Sequence, residues 1–91
     1  MYKRKCVVWR KLYDAIWKYD EVSFTSALGQ LLLNCRSRYE REDAMFKAGD
    51  TYLEIFSDKD RALEYYDQYI GEFGPDGRFY EQVLKRKELL G

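Results

Sequence analysis

The 91-residue chain contains no histidine, a single proline and two cysteines. Without histidine it lacks the most common general base and the most common metal ligand of proteins. It also has no glycine-rich phosphate loop and no Gly-x-Ser-x-Gly nucleophile motif. Asp58 and Asp60 resemble the start of a calcium loop, but the glycine and the distal glutamate that such a loop needs do not follow at the required spacing. We therefore expect a protein that is not an enzyme and holds neither a cofactor nor a metal ion.

Net charge, hydropathy and cysteine spacing argue against further classes of protein. The net charge of zero argues against a dedicated nucleic-acid binder, and the absence of about 18 consecutive apolar residues argues against a membrane span. Cys6 and Cys35 lack metal-type spacing, and Arg10 and Lys11 interrupt the stretch that most resembles a signal sequence. We expect a cytoplasmic protein with reduced thiols.

The charged residues are unevenly distributed along the chain. Residues 1–45 contain nine basic and six acidic side chains, whereas residues 46–91 contain seven basic and ten acidic ones. Regions of opposite charge would suit head-to-tail stacking of copies or the binding of a charged ligand. A scatter of charge without function would give the same counts, so both interpretations stay open.

The spacing of apolar residues predicts an all-α fold of about five helices. Apolar side chains recur three and four positions apart through most of the chain, and no useful stretch alternates with a period of two. Polar breaks lie near residues 20–23 and 57–60, and the segment Gly74–Gly77 is a clear stop in which Gly74 is expected to be left-handed. The predicted single domain consists of antiparallel helical hairpins, with residues 1–40 as the first hairpin, residues 42–75 as the second and residues 77–90 as a terminal capping helix.

The residues at the breaks predict where the helices begin. Ser23 or Thr25 is expected to cap the second helix, and Ser57 or Asp60 the fourth, because their side chains can accept hydrogen bonds from the first backbone N–H groups. The third helix is expected to open near Glu42, where an acidic side chain suits the positive end of the helix dipole.

An internal repeat is visible when the sequence is compared with itself at an offset of 35 positions. Trp17 then corresponds to Tyr52, and Leu31 corresponds to Tyr66. The pair Ala27-Leu28 likewise corresponds to Ala62-Leu63. This offset is close to the length of common helix–turn–helix repeats.

The stretch from residue 42 to residue 75 carries the strongest pattern of the chain. Small and aromatic residues occupy two helical segments that a polar break separates, and they are Met45, Ala48-Gly49, Tyr52, Ala62, Tyr66 and the closing Gly74-Pro75. Their order resembles the tetratricopeptide repeat, in which an aromatic residue, Leu-Gly, Tyr, Ala, Phe and Pro hold those places. The likeness departs from the motif at Tyr69, where the motif has alanine, and in a turn that is one residue too long.

The resemblance implies a fragment of a right-handed superhelix in which the first helix of each hairpin lines a concave groove. Solvent-facing residues of those helices usually contact the ligand in this family. By position they would be Lys11, Lys18 and Tyr19 on the first helix and Phe46, Asp50 and Glu54 on the third.

The leading hypothesis is a non-catalytic protein–protein interaction module that binds a partner chain, or itself, through this groove and through exposed hairpin ends. Short helical stacks leave apolar rims open at their ends. Trp9, Trp17 and Phe24 are expected to be exposed at the N-terminal edge and to support self-association.

Three alternatives remain open. A small nucleic-acid-binding domain would use the basic start of the chain, and the relevant side chains are Lys3, Arg4, Lys5, Trp9, Arg10 and Lys11. The same basic helix with two tryptophans could lie on a membrane surface. A closed helical bundle acting as an adaptor or inhibitor would keep the helices but not the groove.

Overall fold

The computed structural model describes the backbone of residues 2–90 and the side chains of residues 8–90. The prediction of an all-α fold with five helices is confirmed, and the described residues contain no strand. The helices are α1 (Tyr2–Trp17), α2 (Glu21–Asn34), α3 (Arg38–Glu54), α4 (Lys59–Phe73) and α5 (Tyr80–Leu90), and a 3₁₀ turn (Gly74–Asp76) joins the last two. The basic side chains Lys3, Arg4 and Lys5 and the thiol of Cys6 lie outside the described side chains.

The helices pack mainly against their neighbours in the chain. Helix α1 lies against α2, α3 lies against α4, and α5 lies against α4. Connections of three residues between α1 and α2 and of four residues between α3 and α4 force each pair to run antiparallel. The molecule is therefore two helical hairpins in contact, followed by a single helix.

Helices α2 and α4 are capped by residues other than those predicted from the sequence. Asp20 caps α2 by accepting the N–H and the hydroxyl of Ser23, and Asp58 caps α4 by accepting the N–H of Arg61. Ser23, Thr25, Ser57 and Asp60 are thus wrong as caps. In each case the aspartate immediately precedes the helix, and its side chain accepts the backbone N–H three residues later. Its negative charge also lies at the positive end of the helix dipole.

Helix α3 begins four residues before the predicted start at Glu42. Cys35 is extended, with φ of −70° and ψ of 124°, and it ends α2 before residue 40, the predicted end of the first hairpin. Ser37 then accepts the N–H of Glu40 and caps α3. A serine N-cap decides this boundary, and as a result Glu42 lies in the second turn of α3 instead of at its start.

Close packing within the second hairpin depends on one glycine. Gly49 in α3 is buried, and a methyl group at that position would overlap the aromatic ring of Tyr66 in α4. Ala48 and Ala62 are fully buried beside it, and so is Tyr52. Small residues therefore let two aromatic rings lie between the helices.

Phe24 was expected to be exposed and to support self-association, and this prediction is wrong. The ring is completely buried and packs edge-on against Tyr52, with ring centroids 5.1 Å apart, and against Phe56 at 5.5 Å. Because α2 begins at Glu21, Phe24 lies one turn inside the helix and faces the second hairpin. A ring in this position joins the two hairpins and cannot contact another copy.

The internal repeat holds for the second helix of each hairpin, but the offset is 38 positions. The capping residues Asp20 and Asp58 correspond at this offset, and each follows a residue with positive φ, Tyr19 at 54° and Ser57 at 53°. The buried residues Phe24, Leu28 and Leu31 then correspond to the buried residues Ala62, Tyr66 and Tyr69. The offset of 35 matches buried Leu31 with buried Tyr66, but it equates exposed Trp17 with buried Tyr52 and does not align the capping residues.

A buried carboxylate holds the start of α5 against the second hairpin. Glu42 is fully buried, and its Oε2 accepts the hydroxyl of Tyr69 at 2.9 Å and the N–H of Arg78 at 2.8 Å. The Tyr69 hydroxyl also accepts the N–H of Phe79 at 2.8 Å. A side chain at Gly77 would meet this hydroxyl, so the glycine permits the contact.

The charge of Glu42 is compensated inside this network. Burial by itself raises the pKa of Glu42, but the N–H of Arg78, the hydroxyl of Tyr69 and the guanidinium groups of Arg78 and Arg38 outweigh it. The pKa is therefore lower than that of an ordinary glutamate, and the carboxylate is ionised at neutral pH. Tyr69, which departs from the tetratricopeptide pattern, has the specific task of linking Glu42 to the backbone of α5.

Candidate partner-binding groove

An open groove of about 570 Å³ runs between α1 and α3. Its walls combine aromatic and aliphatic side chains with carboxylates and one amine, contributed by Trp9, Tyr13, Ile16, Asp43, Phe46, Lys47, Asp50, Thr51, Glu54 and Ile55. The predicted groove between the first helices of the two hairpins corresponds to this feature, and Phe46, Asp50 and Glu54 line it as expected.

Helix geometry decides which residues of α1 line the groove. Trp9, Tyr13 and Ile16 are spaced by four and three positions, so they lie on one face of the helix. Lys11 and Lys18 point about half a turn away from that face. The wall on this side of the groove is consequently aromatic and aliphatic.

Lys11 and Lys18 were predicted to line the groove, and this placement is wrong. Both line a separate hollow of about 310 Å³ between α1 and α2, together with Asp14 and Asp20. Lys18 there forms an ion pair with Asp14, with Nζ 3.1 Å from Oδ2. Tyr19 is exposed in the α1–α2 turn and does not line the groove. The six predicted partner-binding residues therefore do not form one surface.

Phe79, which immediately precedes α5, and Arg86 of α5 already cover part of the α3 wall of the groove. Phe79 stacks on Phe46, with ring centroids 4.4 Å apart and planes within 6°. Arg86 lies 4.8 Å above the Phe46 ring, and its Nε is 2.7 Å from Oδ1 of Asp50. Sequence reasoning missed Phe79 and Arg86, because the order of helices does not reveal which side chains of a terminal helix reach α3.

Asp50 has a second partner inside the second hairpin. The hydroxyl of Tyr66 donates to Asp50 from the core. Burial, followed by this hydrogen bond to a carboxylate, raises the pKa of Tyr66 above its ordinary value. Asp50 thus joins α3, α4 and α5, and only part of it remains available to a ligand.

The α1 wall of the groove is more open. The rings of Trp9 and Tyr13 stack with centroids 5.8 Å apart, and the amine of Lys47 lies 4.8 Å from the Tyr13 ring. Tyr13 is 48% exposed, Trp9 is half-buried and Glu54 is exposed. The groove thus combines these aromatic faces with the exposed carboxylate of Glu54, a combination that suits an apolar side chain next to a basic one.

Comparison with protein-family models, with curated proteins and with solved structures finds no match for this chain. Among the described residues, no group of three or more side chains is arranged to bind a metal ion. No described helix has the length and apolar character needed to cross a membrane.

Proposed function

We propose that the chain is a non-catalytic protein–protein interaction module that holds an extended or helical segment of another protein in the groove between α1 and α3. The observation that carries the proposal is the pair of stacked rings, Trp9 and Tyr13, on the open wall of this groove. Half-exposed aromatic rings in a concave site are typical of protein interfaces.

The charges of the groove favour a particular kind of segment. Asp43 and Asp50 are compensated by Arg78 and Arg86, at 3.0 Å and 2.7 Å respectively, whereas Glu54 is exposed. A segment with an apolar side chain beside Lys or Arg would place the apolar group on the rings and the cation at Glu54. The tetratricopeptide resemblance supports this proposal, because that family uses the first helices of its hairpins for binding, and under it the two hairpins form a fragment of a right-handed superhelix.

Selection of peptides on the immobilised chain tests the proposal. A random peptide library is bound, and enriched peptides are then titrated against a Trp17→Phe variant in which Trp9 is the only tryptophan. We expect peptides that combine apolar and basic residues, a change in Trp9 fluorescence on binding, and at least a tenfold weaker affinity for Tyr13→Ala, since a buried ring at an interface contributes more than about 1.4 kcal/mol.

Lys11→Ala is the matched control, because Lys11 lies on the opposite face of α1. The proposal fails if the selected peptides bind Tyr13→Ala as well as the parent chain and leave the Trp9 fluorescence unchanged. Loss of binding in the Lys11 variant alone would move the site to the hollow between α1 and α2.

A further inference from the structure

Helix α2 is unusual in this chain because it carries almost no charge. Charged residues make up 35% of the sequence, yet residues 22–35 contain none. The charged residue of α2 is Glu21 at its first position. Exposed helices normally carry charges on the face that meets water, so the outer face of α2 calls for an explanation.

Along that outer face, beside the exposed polar residues Ser23, Gln30 and Asn34, runs a narrow stripe of four exposed residues. Val22, Ser26, Gly29 and Leu33 follow one another at spacings of four, three and four, which places them on one line along the helix. Val22 is 81% exposed and Leu33 is 88% exposed. Two large aliphatic side chains thus flank two small residues on an open surface.

The packing of a single chain does not account for Gly29. A methyl group at this position would have no atom within 4 Å, so no neighbouring helix requires the glycine. A glycine inside a helix costs about 1 kcal/mol relative to alanine. Close approach of another helix to the outside of α2 is a physical reason for retaining it.

The stripe is symmetric about its own midpoint, which lies between residues 27 and 28. If two copies of α2 pack antiparallel across a two-fold axis at that point, Val22 of each meets Leu33 of the other, and Ser26 meets Gly29. The charges at the two ends also match, since Asp20 and Glu21 of one helix approach Arg36 of the other. Antiparallel helix dipoles add to this complementarity.

We propose that the outer face of α2 binds a second copy of the same chain, in an antiparallel two-fold contact centred between residues 27 and 28. This interface is separate from the groove between α1 and α3, and it does not depend on the function proposed for that groove. Burying the stripe removes two exposed aliphatic side chains of each copy from water, and none of the four stripe residues is charged.

The size of the stripe sets the expected affinity of the dimer. From Val22 to Leu33 it is about 17 Å long at 1.5 Å per residue, and it is one helix wide. Such a contact is smaller than that of stable dimers, and it belongs with weak, transient interfaces. We therefore expect a dimer that dissociates in the micromolar range or above.

Sedimentation equilibrium of the full chain, from micromolar to near-millimolar concentration, tests the proposal. The parent chain should show a monomer–dimer equilibrium, and Val22→Glu and Leu33→Arg should each weaken the dimer at least tenfold. Both variants should fold normally, since an acid near the start of a helix and a base near its end suit the helix dipole. Circular dichroism of each variant checks that it is folded.

Mixing the two variants tests the register. In an antiparallel pair the introduced carboxylate and guanidinium face each other, so the mixture should form a heterodimer although neither variant dimerises alone. Leu89→Glu is the matched control, because Leu89 is 86% exposed on α5 and should leave dimerisation unchanged. A parent chain that stays monomeric at every concentration, a mixture that does not associate, or a Leu89 variant that loses the dimer would each overturn the proposal.

Discussion

The two hairpins have the same order of helices, but their helices are held together differently. In the first hairpin α1 and α2 pack through aliphatic and small side chains such as Leu12, Ala15 and Leu28. In the second, aromatic rings fill the space between α3 and α4, and Tyr66 and Tyr69 also donate hydrogen bonds to Asp50 and Glu42.

This difference follows from the position of each hairpin in the molecule. The second hairpin has the first hairpin on one side and α5 on the other, so its side chains meet specific partners in every direction. The first hairpin has one covered side and one open side, and the open side carries Val22 and Leu33. The second hairpin is therefore held by more specific side-chain contacts, whereas the first hairpin leaves more large apolar side chains exposed.

Removing a buried ring from the second hairpin should have the largest effect. Tyr66→Ala should lower the free energy of unfolding by about 3–5 kcal/mol, because the cavity cannot be filled by the small residues around it. Tyr13→Ala in the first hairpin should cost about 1 kcal/mol or less, since that ring is half in water. Urea unfolding followed by circular dichroism measures both. Equal losses for the two variants would contradict the contrast between the hairpins.

Neutralising Glu42 should have the next largest effect, and that effect should depend on pH. Glu42→Gln should lower the stability by about 1–3 kcal/mol at neutral pH, because it removes the charge that Arg38 and Arg78 compensate. Since the pKa of Glu42 is lowered by folding, its contribution is present above the unfolded value of about 4.3 and is lost as the pH falls through the folded pKa.

The difference between the Glu42 variant and the parent chain should therefore shrink in acid. Thermal unfolding between neutral and acidic pH measures it, and Glu54→Gln at an exposed position is the control. A difference that stays constant with pH would mean that the charge of Glu42 is not what secures α5.

Three glycines provide the smallest and most selective test. Gly29→Ala and Gly71→Ala should each raise the stability by about 1 kcal/mol, because nothing lies near either position and alanine favours helices. Gly49→Ala should lower it by about 1–3 kcal/mol, because the added methyl group meets the Tyr66 ring. Unfolding measured at low protein concentration compares the stabilities of the three variants. A stabilised Gly49 variant would refute the close contact between this glycine and the Tyr66 ring.

The number of helices and the packing of small residues could be predicted from the sequence because both depend on local periodicity. Gly49 illustrates this, since its spacing from Ala48 and Tyr52 already implies a close contact. The starts of α2, α3 and α4 could not be predicted reliably, because several neighbouring residues can cap a helix and only the tertiary position selects one. Asp20, three residues before Ser23, was a usable signal that the sequence analysis overlooked.

The candidate groove was predicted in outline but not in its details. Phe46, Asp50 and Glu54 were correctly placed, whereas Lys11 and Lys18 were assigned to the wrong face of α1. A helical projection that treated Trp9 and Tyr13 as part of the site would have corrected this. No feature of the sequence indicated that Glu42 is buried, because the helix dipole already explains an acidic residue near the start of a helix.

The position of α5 has a consequence for assembly. Helix α5 covers the outer side of α4 and presents Glu81, Lys85 and Glu88 to solvent, whereas α2 at the other end of the stack presents its uncharged stripe. Ends that differ this much fit each other poorly, so copies should not add one after another into filaments. Under the contact proposed for α2, a stack with one charged end and one self-complementary end would form a closed pair, and polymerisation would stop there.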